Sequence, residues 1–235
     1  MRELIFNNIV AKDLGFIVTE SSSEILTQEV FEEVKVEGRN GSLMINKGYY
    51  PSITREFSIT TIEHFEDDEI PVLIEKIKDW LFNITDSRLF YAYEDRYHMV
   101  QKVVIEDIQT SLEEFGDFIV KFICEPFLYL VERDLNLIKT KTYINTGDFP
   151  SYPNITIYGN GDITFTINDN SFSIKNVATS VNIDSKLMTC VDSEGNNKIQ
   201  DMTGDFLTLD KEDNEISWSE EKITRVVITP RTIFR

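Results

Sequence analysis

The chain has 235 residues, 41% of them hydrophobic and 11% aromatic, which is enough apolar surface for a packed core and excludes wholesale disorder. Against 23 Lys and Arg stand 41 Asp and Glu, a formal charge of −18 that argues against a reader of duplex nucleic acid or a binder of anionic membrane, both of which reward cations. No run reaches the ~18 to 20 consecutive apolar residues of a spanning helix. The opening Met1-Arg2-Glu3-Leu4-Ile5-Phe6 lacks a signal peptide's apolar stretch and cleavage site, so the protein is expected to start in the cytoplasm.

In chain order, residues 34–50 alternate and turn at Asn40-Gly41, residue types that tolerate the positive φ of a tight hairpin. Residues 52–62 alternate well and predict a strand with one buried and one wet face. Ile70, Leu73, Ile74, Ile77 and Leu81 then recur at helical spacing, with Trp80 on the flank, predicting one amphipathic helix that ends near Asn83. Asp67 or Asp68 can cap it, Pro71 suits its first turn, and Glu66 to Glu69 favour its positive end. A strand over 116–124 follows, running into Glu125-Pro126-Phe127. A domain boundary is expected between 137 and 143, giving domains 1–140 and 141–235. Residues 1–140 hold 14 basic and 27 acidic side chains, net −13, and the remainder 9 and 14, net −5. The second domain shows only strand and turn signals. Residues 162–167 alternate, Asn160-Gly161 and Glu194-Gly195-Asn196-Asn197 read as hairpins, and seven or eight short strands imply a sandwich.

Candidate chemistry is sparse. His64 lies among five carboxylates in Glu63-His64-Phe65-Glu66-Asp67-Asp68-Glu69, but neighbouring residues fan out and do not converge on one ion without a looped scaffold. His98 reads as an ordinary strand residue. Asp192-Ser193-Glu194-Gly195-Asn196-Asn197 fails as a calcium loop, with glycine at its fourth position and Thr203 at its twelfth. Cys124 and Cys190 have no metal-ligand spacing and read as reduced, half-buried thiols. There is no phosphate-cradling glycine loop, nucleophile elbow or catalytic-cysteine signature, so neither a cofactor nor catalysis is expected. Trp218, Tyr152 and Tyr158 could form a sugar-stacking platform, yet the second domain has no His and hence no galectin-type His-x-Asn-x-Arg site.

Read end to end, the sequence resembles the distal tail proteins of long-tailed, non-contractile bacteriophages and prophages. In the first domain the resemblance rests on Gly38-Arg39-Asn40-Gly41, Gly48-Tyr49-Tyr50, the helix with Ile77 and Trp80-Leu81, Leu89, Tyr93-Glu94-Asp95 and Phe122-Ile123-Cys124-Glu125-Pro126-Phe127. In the second it rests on Asn145-Thr146-Gly147, Tyr152-Pro153-Asn154-Ile155, Gly159-Asn160-Gly161, Ile183-Asp184-Ser185, Met202 to Leu209 and Asn214-Glu215-Ile216-Ser217-Trp218. The family usually places Gly before the asparagine of the last motif; here Asp213 stands there and is expected to take the same turn at some cost. No long insertion interrupts the second domain, as in short family members without carbohydrate-binding modules.

The resemblance implies a mainly β protein of two sandwiches: a tail-tube-like, ring-forming domain with one covering α-helix and a protruding hairpin arm, then a galectin-like domain. It implies a homo-hexameric ring at the virion tail tip, assembled in the bacterial host cytoplasm, joining the tube to the adsorption apparatus. Its partners would be the major tail tube protein, a tail-associated hub or lysin protein and the tape-measure protein, with DNA passing through unbound. The arm would present Val36, Arg39, Asn40, Gly41, Leu43, Ile45, Tyr49 and Tyr50 to a neighbouring subunit. Acidic residues among Glu29, Glu32, Glu33, Glu37, Glu63, Glu66, Asp67 and Asp68 would repel passing phosphates. The alternatives are a carbohydrate-binding module for host adsorption and, further off, a hydrolase of wall polymer acting through paired carboxylates.

Overall fold

Alternating apolar and polar residues become strands through most of the chain. A computed structural model describes residues 3–23, 26–62, 69–105, 117–218 and 221–235, and within them the fold is mainly β with one α-helix. Two compact units are formed, one running to Leu128 and including Arg235, the other Tyr129–Phe234. This division precedes the interval expected from the sequence, because Leu135, Asn136 and Leu137 already pair with Ile228, Val227 and Val226 of the second unit.

The first unit contains β1 (Ile5–Phe6), β2 (Ile9–Val10), β3 (Phe16–Ser21), β4 (Phe31–Val34), β5 (Leu43–Asn46), β6 (Ile53–Thr61), α1 (Ile70–Phe82), β7 (Arg88–Phe90), β8 (Arg96–Ile105) and most of β9 (Asp117–Leu130). Its main sheet has the order β2-β1-β7-β8-β9-β6-β3. In β6 the buried residues are Ile53, Arg55, Phe57 and Ile59; they lie opposite Cys124, Phe122, Val120 and Phe118 of β9, so one face of the sheet forms the core. β9 continues through Pro126, which the missing N–H permits on this side because pairing with β6 ends at Cys124.

Helix α1 buries Ile70, Leu73, Ile77, Trp80 and Leu81 against that core. The Trp80 ring stacks on Phe16 at 5.9 Å, and its Nε1–H donates to Phe6 O at 3.0 Å. Glu69 occupies the N-cap without a side-chain bond to the helix. The expected caps Asp67 and Asp68 lie outside the described residues.

The far end of α1 is held by Asn7. This residue is 7% exposed and takes φ +54°, a left-handed conformation that asparagine tolerates better than most side chains. Its amide donates to Trp80 O at 3.1 Å and Asn83 O at 2.9 Å, satisfying carbonyls that a helix end leaves open. Its Oδ1 accepts from Thr85 N, Thr85 Oγ1 and Asp86 N at 2.7, 2.9 and 3.1 Å.

The second unit adds β10 (Leu135–Leu137), β11 (Lys141–Asn145), β12 (Asn154–Gly159), β13 (Gly161–Ile167), β14 (Asn170–Val177), β15 (Ser180–Asp184), β16 (Thr189–Asp192), β17 (Met202–Gly204), β18 (Glu212–Trp218), β19 (Ile223–Thr229) and β20 (Ile233–Phe234). Past residue 140 the described residues thus form ten strands, more than the seven or eight expected, since β17 and β20 are too short to show periodicity. Two five-stranded sheets, β10-β19-β12-β15-β16 and β11-β18-β13-β14-β17, enclose one core and form a β-sandwich. Ile155, Ile157, Val181, Ile183, Val226 and Ile228 face Phe165, Phe172, Ile174, Ile216 and Trp218 across it.

Turn chemistry corrects one expectation. Asn160-Gly161 makes no hairpin: β12 and β13 belong to opposite sheets, so this turn carries the chain across the sandwich. The tight hairpin follows instead at Asn168-Asp169, where Asn168 takes φ +53° between the paired Ile167 and Asn170. At Glu194 to Asn197 the chain does turn back, Asp192 N–H donating to Asn196 O at 2.9 Å.

Buried polar side chains pin the sandwich. Asn214 is fully buried, donating to Asp210 O and Glu212 O and accepting from Asp210 N and Asn168 Nδ2. The positive φ beside it, +72°, falls on Glu212 and not on Asp213. Asn145 receives the Gly147 N–H at 3.0 Å, and a Cβ at Gly147 would stand 2.5 Å from Ile233 O, so close backbone approach demands glycine there. Asp184 binds Arg231 through two 2.7 Å bonds and accepts the N–H groups of Lys186 and Leu187. Burial opposes its charge, but the guanidinium and amides outweigh it and hold the carboxyl below the usual carboxylate range.

Both cysteines are free and buried, and burial pushes Cys124 up to about 12 and Cys190 up to about 11, leaving unreactive thiols.

Replacing Asn7 with Ala removes five hydrogen bonds and leaves a β-carbon in a left-handed conformation, so urea unfolding should show a loss of about 2 to 4 kcal/mol. His98 is pushed down to about 4 by burial and by the nearby Arg55 guanidinium, and so stays neutral in the fold. An unfolded histidine takes up a proton near pH 6.5; stability should therefore fall as pH drops from about 6.5 to about 4, and no further below that. Relative to His98→Gln, the wild type should lose up to about 3 kcal/mol over this window, read from paired denaturation curves.

Candidate subunit-interface arm

Among the described residues strands β4 and β5 pair only with each other, in the register Phe31↔Asn46, Glu32↔Ile45, Glu33↔Met44 and Val34↔Leu43. Residues 35–42 join them. The sequence suggested a tight turn at Asn40-Gly41, but the connection is wider: it is pinned by Arg39 N–H to Val36 O at 3.2 Å and redirected at Gly41, φ +78°.

The root of this ribbon is tied down. Val30 N–H donates to Tyr49 O at 3.0 Å and Lys47 N–H to Val30 O at 2.9 Å. The Glu29 carboxylate accepts from Asn46 Nδ2 at 2.5 Å and from the Tyr50 hydroxyl at 3.1 Å. Tyr50 is half-buried and packs edge-on against Phe127 at 5.0 Å.

Beyond the root, apolar side chains stand in water. Phe31 is 50% exposed, Met44 58%, Ile45 41%, Val36 46% and Tyr49 53%, and Leu43 is exposed too. These large apolar groups on one short ribbon form an exposed apolar surface without a core of its own. Of the residues expected from the sequence, Val36, Leu43, Ile45 and Tyr49 are exposed on the arm, and Arg39, Asn40 and Gly41 are exposed at its tip. Tyr50 differs, serving as an anchor at the root. Phe31 and Met44 were missed because alternation reads one face at a time: Ile45 and Leu43 share a face with Val34, whereas Met44 and Phe31 occupy the other.

Charge on the arm is partly compensated. Lys47 pairs with Glu32, and Ser42 Oγ donates to Glu33. Among the described residues the Lys35, Glu37 and Arg39 side chains make no hydrogen bond or ion pair. Of the acidic residues proposed to repel DNA, Glu29 is spent at the arm root, while Glu63, Glu66, Asp67 and Asp68 lie outside the described residues, as does His64.

The aromatic residues considered for sugar stacking are not brought together. Trp218 is 8% exposed and stacked on Phe165 at 6.0 Å inside the sandwich. Tyr158 belongs to the opposite sheet, beneath the Arg225 guanidinium at 4.0 Å, and Tyr152 is exposed. Asp192 is engaged by the N–H groups of Glu194 and Asn196 and by the Asn196 side chain, as a turn residue.

No protein-family model matches this chain, and no curated protein sequence does. The architecture, a helix-covered β unit with an exposed two-stranded ribbon followed by a β-sandwich, is shared with a solved phage protein. The comparison that establishes this fold is the crystal structure of the phage SPP1 protein Dit (gp 19.1), described as a paradigm of the hub adsorption apparatus of phages infecting Gram-positive bacteria. It aligns over 97% of this chain and 98% of that one, with a TM-score of 0.71 and 14% sequence identity.

Replacing Tyr50 with Ala should loosen the arm at its root and raise hydrogen exchange at Val30 and Lys47, read by mass spectrometry, while exchange in β6 and β9 stays within about twofold of wild type.

Proposed function

We propose that this chain is a non-enzymatic structural hub of a phage tail tip, a distal tail protein that assembles as a ring, six-fold by analogy with its family. In this reading the unit that runs to Leu128 is the tail-tube-like, ring-forming domain expected over 1–140, and Tyr129–Phe234 the galectin-like domain expected over 141–235. The observation that carries the reading is the end-to-end fold likeness to the SPP1 hub protein, combined with a ribbon whose apolar side chains lie open to solvent. A cyclic ring repeats one head-to-tail contact, and a projecting arm that reaches a neighbour is a natural means of making it.

The ring joins the tail tube protein on one side to a tail-associated hub or lysin protein on the other, with the tape-measure protein passing through. It resides at the virion tail tip after assembly in the host cytoplasm. The −13 charge of residues 1–140 disfavours capture of DNA phosphates, and transit is then free of binding steps.

Light scattering coupled to size exclusion over a range of concentrations tests this. A mass near six times 27.3 kDa, about 164 kDa, is expected, and Ile45→Asp together with Leu43→Asp should return the chain to 27.3 kDa without lowering its thermal midpoint. A chain that stays at 27.3 kDa at every concentration, both alone and with tail tube protein, would overturn the proposal.

A further inference from the structure

Two sequence motifs of the first unit remain without a role: the basic tip of the arm, Gly38-Arg39-Asn40-Gly41, and Tyr93-Glu94-Asp95. The second borders an open cleft of about 410 Å³, lined by Glu3 and Ile5 of the β1 region, by Phe90 at the end of β7 and by Tyr91, Tyr93 and Glu94 after it. Its lining combines two carboxylates with aromatic rings, a combination that favours a guanidinium, which pairs with carboxylates while stacking its flat face on rings; Arg88 already does so over Phe90 at 5.9 Å. Arg96 already lies over the Tyr93 ring at 5.4 Å and stands 3.9 Å from Asp95. Among the described residues Glu3 and Glu94 have no ion pair. Glu3 and Glu94 thus lack a counter-charge of their own, and among the described residues the arm tip carries Lys35 and Arg39 against Glu37, all three without an ion pair.

Their places in the sheet set donor and acceptor toward opposite ends of its strand order, and among the described residues of one copy Arg39 makes no ion pair. The arm enters the sheet between β3 and β6, the last two strands of its order, whereas the cleft is built on β1 and β7, second and third from the opposite end. Four strand spacings separate β1 from β6, roughly 19 Å. Donor and acceptor on opposite flanks of one subunit are what a closed head-to-tail assembly requires.

We infer that the arm tip of one copy seats Arg39 in the cleft of the next, against Glu3 and Glu94 and beside Tyr93. This rests on the ring reading above and names the surface that receives the arm. Complementary charge at this point fixes register and partner choice, and the apolar ribbon supplies the buried area.

The test is a charge exchange in the full chain, scored by the concentration at which half of it is assembled. Arg39→Glu and Glu94→Lys should each raise that concentration about tenfold or more, and the doubly exchanged chain should recover to within about threefold of wild type. Thermal midpoints of all three should match wild type, since both positions are exposed. A ring whose midpoint is unchanged by Arg39→Glu, or an exchange without recovery, overturns this contact and leaves the ring standing. A wild-type chain that stays monomeric alone and with tail tube protein removes both.

Discussion

The first unit depends on one asparagine. A helix lying on a sheet has unmet carbonyls at its end, and a chain leaving it needs a fixed path back into the sheet. Asn7 supplies both: its amide closes the end of α1 at Trp80 and Asn83, and its carbonyl oxygen gathers the backbone of Thr85 and Asp86 as the chain heads for β7. The packing of Trp80 on Phe16 and its bond to Phe6 follow from that placement. Apolar burial alone would hold the helix down without choosing its position along the sheet.

The second unit repeats the strategy with different residues. Asn214 closes the turn before β18, Asn145 the turn after β11, and Asp184 with Arg231 ties β15 to the segment after β19. Each is a short polar side chain with nearly all its bonding capacity used, so burial costs little and the loops have one arrangement. These pins fall within Asn145-Thr146-Gly147, Ile183-Asp184-Ser185 and the motif that begins at Asn214.

How much could be read beforehand follows from the range of the forces involved. Strands β6 and β13 and the helix were legible because burial of one face imprints a period on consecutive residues. The partner of a strand is not a local property, so Asn160-Gly161 looked like a hairpin although its flanking strands lie in opposite sheets. The arm was visible through its glycines and alternation, but the exposure of Phe31 and Met44 was not, since nothing in an apolar residue says that both faces of its ribbon are wet. The cleft beside Tyr93 joins residues about ninety positions apart and has no sequence signature.

A two-stranded ribbon with no core of its own is marginal in water, and among the described residues it is fastened at Glu29, Tyr50 and the neighbouring backbone. Contacts made through its apolar side chains are driven near room temperature by the entropy of released water and carry a large negative heat capacity. Such contacts weaken in the cold. An assembly held by this arm would therefore loosen on chilling and tighten on warming, so that handling temperature, as much as concentration, sets which form of the protein is seen.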